Sequence, residues 1–497
     1  MKQHKIEPSL LEKLEQNGSE SLAPVPVFLI LSKKRQLPVL PTTAQSVTGT
    51  SLLYCEPSPT ELRTLSDEKS VQFIWDANAH ITNTPFTRQQ SNSRTDTRTI
   101  VFDPQDDEHP ADSHTMNGHG IKCAIIDTAA DTYHSDLSTQ IAKITDCTDD
   151  GNYHRGDQVH GTHVAGIVNQ LAPEAELFLY KVFNSSGFAT RKFIVDAIMA
   201  AIADGVDVIN GSWEESGCPG GCPVDLAVSY AVSQGVIFCG SAGNSGPAPM
   251  TLTCPAGNTD IITIGACNCN GEMADFSSKG PSYIKNSNKP DISAPGVNIA
   301  SCQPGGGYQL LSGTSMSAPV LTGACAIIKS AIKTQAATKD HSKSGKNIKE
   351  AIMKQAKDLG YDRNHQGAGL LNVNRTLRQL KSSRNTIFHL RQRELLRWAV
   401  AVAIFLGGAF LFSSKPWQVH SANTPVLTQT AQAQETPPGI LKKQHFPLPP
   451  PFAQAQADTT PVPIGPQYST LDHEQAATHL RFTISQVGEM LNEEIIR

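Results

Sequence analysis

GIKCAIIDT, residues 120–128, is a run of apolar side chains interrupted only by Lys122, opened by a glycine and closed by an acid. It has no polar alternation, so a strand built from it is buried on both faces. Similar short runs recur at 177–182, 206–209, 236–239 and 261–264, and between them residues 191–204 and 224–233 carry apolar side chains at helical spacing. Gly205 and Gly235 stand where those helices should stop. Buried strands alternating with helices predict an α/β domain, a doubly wound parallel sheet covered on both faces, over residues 113–380. In such sheets the chemistry gathers at the carboxyl ends of the strands, and Asp127 stands at one.

Outward from this core the pattern changes. Residues 25–31, 51–55 and 71–75 read as strands and 59–69 as a helix with Leu62 and Leu65 on its apolar side, which predicts a small α+β unit over 1–80. Residues 81–112 lose periodicity and read as a linker. After a basic segment, 381–394, the run 398–412 is apolar throughout, and 395–414 spans about 30 Å as a helix, which predicts a transmembrane helix. Arg391, Arg393 and Arg397 precede it and Lys415 follows, which puts the catalytic domain on the cytoplasmic side. The tail, 415–497, is rich in Pro, Gln and Thr up to about residue 467, then supports one amphipathic helix at 471–496 that a partner could bind.

Composition excludes some functions. With 41 basic against 46 acidic residues the net charge is −5, so the chain has no basic footprint for nucleic acid. The first twenty residues alternate charge and polarity, so no standard secretory signal is expected. Eleven cysteines, an odd number, and Cys267 and Cys269 one residue apart favour mostly reduced thiols. Cys218 and Cys222 bracket Pro-Gly-Gly, but no further ligands at metal-site spacing are evident, so no metal is assigned.

Three segments supply the parts of an amide-hydrolysing site: a nucleophile, a base and an acid that orients the base. Asp127 follows the strand 123–126. His160 opens HGTHVAG (160–166), where small residues let a helix begin close to the site. Ser315 lies in GTSMSAP (313–319), at the start of an apolar helix whose free N–H groups favour a developing anion.

At these residues the chain resembles the subtilisin-like serine proteases, whose triad also runs Asp, His, Ser along the sequence. HSDL (134–137) and GAGL (367–370) add to the likeness, which covers residues 113–380. The resemblance implies a serine endopeptidase acting on protein or peptide substrates, with Asp127, His160 and Ser315 as the triad and Asn244, in SAGNSG (241–246), as the oxyanion donor. It also implies a specificity pocket between Ser212, Trp213 and Glu214 on one wall and Ser241, Ala242 and Gly243 on the other. Ala129 stands where the family usually has glycine, and Val320-Leu321-Thr322 departs from its common His-Val-Ala. Glu214 replaces a usual glycine. Aimed into the pocket it would favour Lys or Arg substrates; a solvated loop acid is the other reading.

No cofactor is required by this chemistry; calcium is common in the family, without ligands assignable here. The unit at 1–80 looks like the propeptides that precede such domains, with 81–112 lying through the active site before cleavage. The alternative function is a catalytically inactive fold used as a membrane-anchored binding module.

Overall fold

The structure, a computed structural model, describes residues 3–16, 23–32, 37, 41, 43–83, 87–91, 117–216, 218, 220–284, 287–334 and 344–380. The segments expected at 381–394, 395–414 and 415–497 lie outside them.

The N-terminal part is a four-stranded sheet: β1 (Val27–Leu31), β2 (Gln45–Ser46), β3 (Leu52–Cys55) and β4 (Val71–Asp76) stand in the order β2-β3-β1-β4. β1 is antiparallel to both β3 and β4. The helix Pro59–Asp67 opens with a capping box in which Ser58 and Glu61 satisfy each other's backbone N–H groups. It packs Leu62 and Leu65 into a core with Val27, Leu29 and Ile74.

The segment expected to be an irregular linker instead begins with two strands. β5 (His80–Asn83) pairs antiparallel with β10 (Ala189–Thr190) and β12 (Trp213–Glu214), and β6 (Thr87–Ser91) pairs antiparallel with β17 (Tyr308–Ser312). Their largely polar sequences, HITN and TRQQS, carry no buried-strand signature because backbone pairing holds them, helped in β5 by Ile81, which is buried in the core. Residues 92–112 lie outside the described residues.

The main sheet has seven parallel strands: β7 (Lys122–Asp127), β8 (Ile141–Asp146), β9 (Glu176–Lys181), β11 (Val208–Gly211), β13 (Ile237–Ser241), β14 (Ile262–Cys267) and β15 (Ile292–Pro295), in the order β15-β14-β13-β11-β7-β9-β8. Smaller sheets use β10 (Ala189–Thr190), β12 (Trp213–Glu214), β16 (Ile299–Cys302) and β17 (Tyr308–Ser312). From β7 the chain builds toward β8 and β9, then returns to the other side of β7 with β11. The order therefore reverses between β7 and β11, and a crevice opens at their carboxyl ends.

The helices Val159–Leu171 and Thr314–Thr334 cover one face, burying Val164, Val168, Leu321 and Ile328 against the strands. The helices Arg191–Ala203 and Pro223–Ser233 cover the other, in a core that also takes Phe28, Tyr54 and Trp75 from the N-terminal sheet. Arg191 ties the two parts together: its guanidinium donates to Glu7 Oε2 at 2.6 Å and Oε1 at 2.8 Å and also pairs with Glu215, while lying 4.9 Å from the Trp75 ring.

Gly161 sets how close the first helix comes to β7. A Cβ there would lie 2.6 Å from the Thr128 carbonyl oxygen and 2.7 Å from that of Ala129, both backbone atoms that cannot turn aside. Gly161→Ala should therefore cost about 1–3 kcal/mol. Denaturant unfolding of this variant and its parent, both carrying Ser315→Ala to prevent digestion, checks this; an unchanged midpoint would show that the helix can shift freely.

Candidate active site

Asp127 ends β7 with its side chain fully buried. Its Oδ1 accepts the N–H of Thr128 at 2.7 Å and is joined to His160 Nδ1 at 2.7 Å. A carboxylate held this way keeps the ring oriented, with Nδ1 toward the acid and Nε2 toward the site. His160 is the second residue of its helix, and Thr128 Oγ1 accepts the Gly161 N–H at 2.8 Å, satisfying one of the donors a helix start leaves open. Thr128 thus fastens the histidine's helix to the acid's strand, a role that sequence reading missed.

The second histidine of the motif is structural. His163 is buried and its Nε2 lies 2.9 Å from Ile299 O and 3.1 Å from Gln309 O. Both partners are carbonyls, so Nε2 carries the proton, and burial pushes the imidazole down to about 3. It stays neutral and pins the helix to β16 and β17.

Ser315 is the second residue of the helix Thr314–Thr334 and is fully buried. Its Oγ donates to Ser212 O at 3.3 Å. The helix contains Pro319, which lacks the N–H that would bond the carbonyl four residues back. That carbonyl belongs to Ser315 itself, and Ser212 Oγ donates to it at 3.1 Å. Ser212 Oγ in turn accepts Asn210 Nδ2 at 2.9 Å, and Thr322 Oγ1 donates to Asn210 Oδ1 at 3.1 Å. The departure at Thr322 therefore belongs to a buried chain of hydrogen bonds that locks the nucleophile's helix to the end of β11.

Asn244 sits beside that helix start. Its Oδ1 accepts both the Thr314 N–H and the Thr314 hydroxyl at 2.9 Å. This fixes which end of the amide is which, making Nδ2 the donating end. Thr314 was not singled out in the sequence, although a hydroxyl before the nucleophile was its visible signal.

The residues expected to form the two pocket walls lie at the ends of neighbouring strands: Ser212, Trp213 and Glu214 run past the end of β11, while Ser241 ends β13 and Ala242 and Gly243 follow it. Trp213 differs from expectation in its side chain, which packs in the core edge-on to Phe238 at 6.4 Å; only its backbone faces the groove. Glu214 is buried, which overturns the solvated reading. Its Oε2 accepts Thr253 Oγ1 at 3.0 Å and would lie 2.8 Å from a Cβ on Gly243, so the carboxylate bridges the two walls. No cation pairs with it among the described residues, and burial raises its pKa above the ordinary carboxylate range.

β5 lies between β10 and β12, with Ile81 opposite Ala189, Thr82 opposite Glu214 and Asn83 opposite Trp213. After residues 84–86, which lie outside the described set, Thr87 pairs with Ser312. The chain is thus held on either side of the segment carrying Ser315 in the antiparallel manner of an extended peptide on a sheet edge.

Catalysis by such a triad needs no cofactor. Both clusters of three or more His, Cys, Asp or Glu ligands found among the described residues contain thiols, a donor set unlike the oxygen ligands that calcium takes.

The subtilase family model matches residues 118–370, about half of the 497-residue chain. The chain is 34% identical to subtilisin E of Bacillus subtilis (strain 168) over 272 residues, 52% of this chain and 66%, just under two thirds, of that protein. It is 33% identical to subtilisin of Bacillus pumilus over 272 residues, 92% of that protein. To an intracellular serine protease of Paenibacillus polymyxa it is 32% identical over 279 residues, covering 53% of this chain and 82% of the relative. With its parallel sheet and a family match that spans Asp127, His160 and Ser315, the chain belongs to the subtilase family.

Proposed function

We propose that the protein hydrolyses peptide bonds through an acyl-enzyme formed on Ser315. The observation that carries this is the 2.7 Å Asp127–His160 contact buried at the carboxyl end of β7. Ser315 Oγ turns from the Ser212 carbonyl, gives its proton to His160 Nε2 and attacks the substrate carbonyl carbon. The oxyanion takes hydrogen bonds from the Ser315 N–H and Asn244 Nδ2. Collapse expels the amine, protonated by His160, and water attacks the acyl-serine by the same route in reverse. Ser315→Ala should leave the fold intact and lower peptide turnover by on the order of 10⁴-fold or more, a magnitude taken from subtilisin. Turnover within tenfold of wild type would remove the triad assignment. A wild-type protein that hydrolyses nothing after its N-terminal segment is removed would favour the inactive binding module.

The N-terminal sheet and β5 act as a self-supplied inhibitor that Ser315 removes, supported by the pairing of β5 with both rims of the groove. Intact masses of the wild-type and Ser315→Ala chains test it: the wild type should lose a piece ending between Ile81 and Asp112, and the mutant should remain whole. Two uncut chains, with the wild type still cleaving added peptides, would end this reading.

Glu214 selects Lys or Arg before the cut bond, because a buried carboxylate between the two walls has no cation of its own among the described residues. Its raised pKa sets the sign of the pH dependence. The preference should be full above that pKa and fade as pH falls through it, since the protonated acid has no charge to offer while Lys and Arg keep theirs. Peptide-library profiles should lose this trend in Glu214→Gln; a profile that neither pH nor the substitution changes would rule the role out.

Residues 395–414 anchor the enzyme in a membrane with the catalytic domain on the cytoplasmic side, on the arginine bias before the apolar run. A reporter active only outside the cytoplasm should give signal when fused after Arg497 and none when fused after Leu380. The reverse pattern would invert the topology. The described helix most like a membrane span, Thr314–Lys333, is the buried nucleophile helix.

A further inference from the structure

Behind the pocket wall, four buried side chains converge. Ligand atoms of Glu215, Cys218, Cys222 and Cys254 all lie within 4.8 Å of one another, and Cys222 Sγ is 3.4 Å from Cys254 Sγ. A tetrahedral zinc ion with bonds of about 2.3 Å to sulfur and 2.0 Å to oxygen separates its sulfurs by about 3.8 Å and each sulfur from the oxygen by about 3.5 Å. Reaching that geometry requires the Cys222–Cys254 pair to open by about 0.4 Å and any pair near the 4.8 Å limit to close by about 1 Å. Glu215 Oε1 is held by Arg191 at 3.0 Å, whereas its Oε2 is buried with no hydrogen-bond partner among the described residues. A buried carboxylate oxygen left this way is costly unless a cation meets it.

The local chain is built to present these groups. Gly220 and Gly221 take φ of +90° and +70°, a turn that brings Cys222 back toward Cys218. Cys222 caps the helix Pro223–Ser233, and its sulfur accepts the Asp225 N–H at 3.5 Å, which fixes the side chain toward the cluster. Cys254 is fixed to Glu215 by a two-way backbone pair, Glu215 N–H to Cys254 O at 2.9 Å and Cys254 N–H to Glu215 O at 3.2 Å.

We propose that Glu215, Cys218, Cys222 and Cys254 bind one zinc ion that fixes the specificity wall. Three soft thiolates and one carboxylate suit zinc and not calcium or magnesium, and four protein ligands leave no open position, so the ion is structural and not catalytic. The site adjoins the pocket residue for residue: Glu214 is held by Thr253, and the next pair, Glu215 and Cys254, holds the ion. The spacing of Cys218 and Cys222 is visible in the sequence, but the other two ligands become apparent only when the fold brings Cys254 beside Glu215.

The test uses the full chain carrying Ser315→Ala, purified without chelator. Elemental analysis should find about one equivalent of zinc per chain. Replacement by cobalt should give the strong visible bands of a tetrahedral ion together with thiolate-to-cobalt charge transfer. Cys222→Ser and Cys254→Ser should lower the zinc content at least about tenfold. Chelation of the parent should lower its melting temperature by about 5 °C or more, with recovery on adding zinc and none on adding magnesium. Less than about a tenth of an equivalent of zinc in the folded parent, even after incubation with added zinc, would overturn the proposal. That holds whether its thiols titrate as free or its mass is lower by two hydrogens, which would mark a disulfide in place of a metal. Because these readouts need no peptide hydrolysis, they succeed or fail independently of the proposed activity.

Discussion

The hydrogen bond between Asp127 and His160 is the constraint around which the site is arranged. A carboxylate buried at the end of a strand is tolerable only where donors meet it, and here a backbone N–H and an imidazole do so on one oxygen, each at 2.7 Å. For the imidazole to arrive, its helix must start almost in contact with the turn after β7. Gly161 gives that clearance and Thr128 fastens the two elements. At the departure Ala129 the buried methyl joins the core, while the carbonyl accepts the Thr128 hydroxyl at 3.0 Å.

Tight placement of the acid and base would be idle if the nucleophile's helix could slide. Pro319 converts what is usually a helix fault into an anchor, because the Ser315 carbonyl deprived of its intrahelical partner is taken by Ser212. Ser212 precedes Trp213 and Glu214, so Ser315 and this segment are registered to each other by two hydrogen bonds, one each way, and reinforced through Asn210 and Thr322. A displacement of the wall is thereby a displacement of Ser315. Arg191 extends this coupling outward, since it holds Glu215 at the end of the wall and Glu7 in the N-terminal part with the same guanidinium. Separating the two parts strips a buried arginine of one of its carboxylates, which is costly when the remaining charge stays buried.

Much of this was legible in the sequence because the chemistry demands particular residues at particular structural junctions. Asp127 had to follow a buried apolar run, and His160 and Ser315 had to open helices among small residues. The strand-to-helix alternation was equally plain, since both faces of the main sheet are covered and its strands read as continuous apolar runs. β5 and β6 were not legible for the opposite reason: short strands added by backbone pairing need few apolar side chains, Ile81 being the one that β5 sends into the core, and HITN and TRQQS resemble a linker. The direction of Trp213 was also hidden. In a two-residue strand that leaves the main sheet, alternation gives no reference for which face is the core, and only Phe238 beside it shows that the ring points inward.

Glu214 and Glu215 show how adjacent acids acquire different roles from the fold. On an extended backbone neighbouring side chains leave on opposite sides. Glu214 therefore turns toward Gly243 and Thr253, where its charge meets the pocket, while Glu215 turns toward Arg191 and the thiols behind it. Each is partnered across the same neighbouring segment, by Thr253 and Cys254 in turn. A carboxylate in the pocket is useful for selecting a cation only if its position is fixed to within a fraction of an ångström, because a mobile acid can move to solvent and lose the low-dielectric setting that gives the charge its effect. The group best placed to prevent that movement is the next residue, gripped from behind by Arg191. Under the roles proposed above for Glu214 and for the cysteine cluster, the front and back of the wall are one device, in which selection by Glu214 depends on how firmly Glu215 is held.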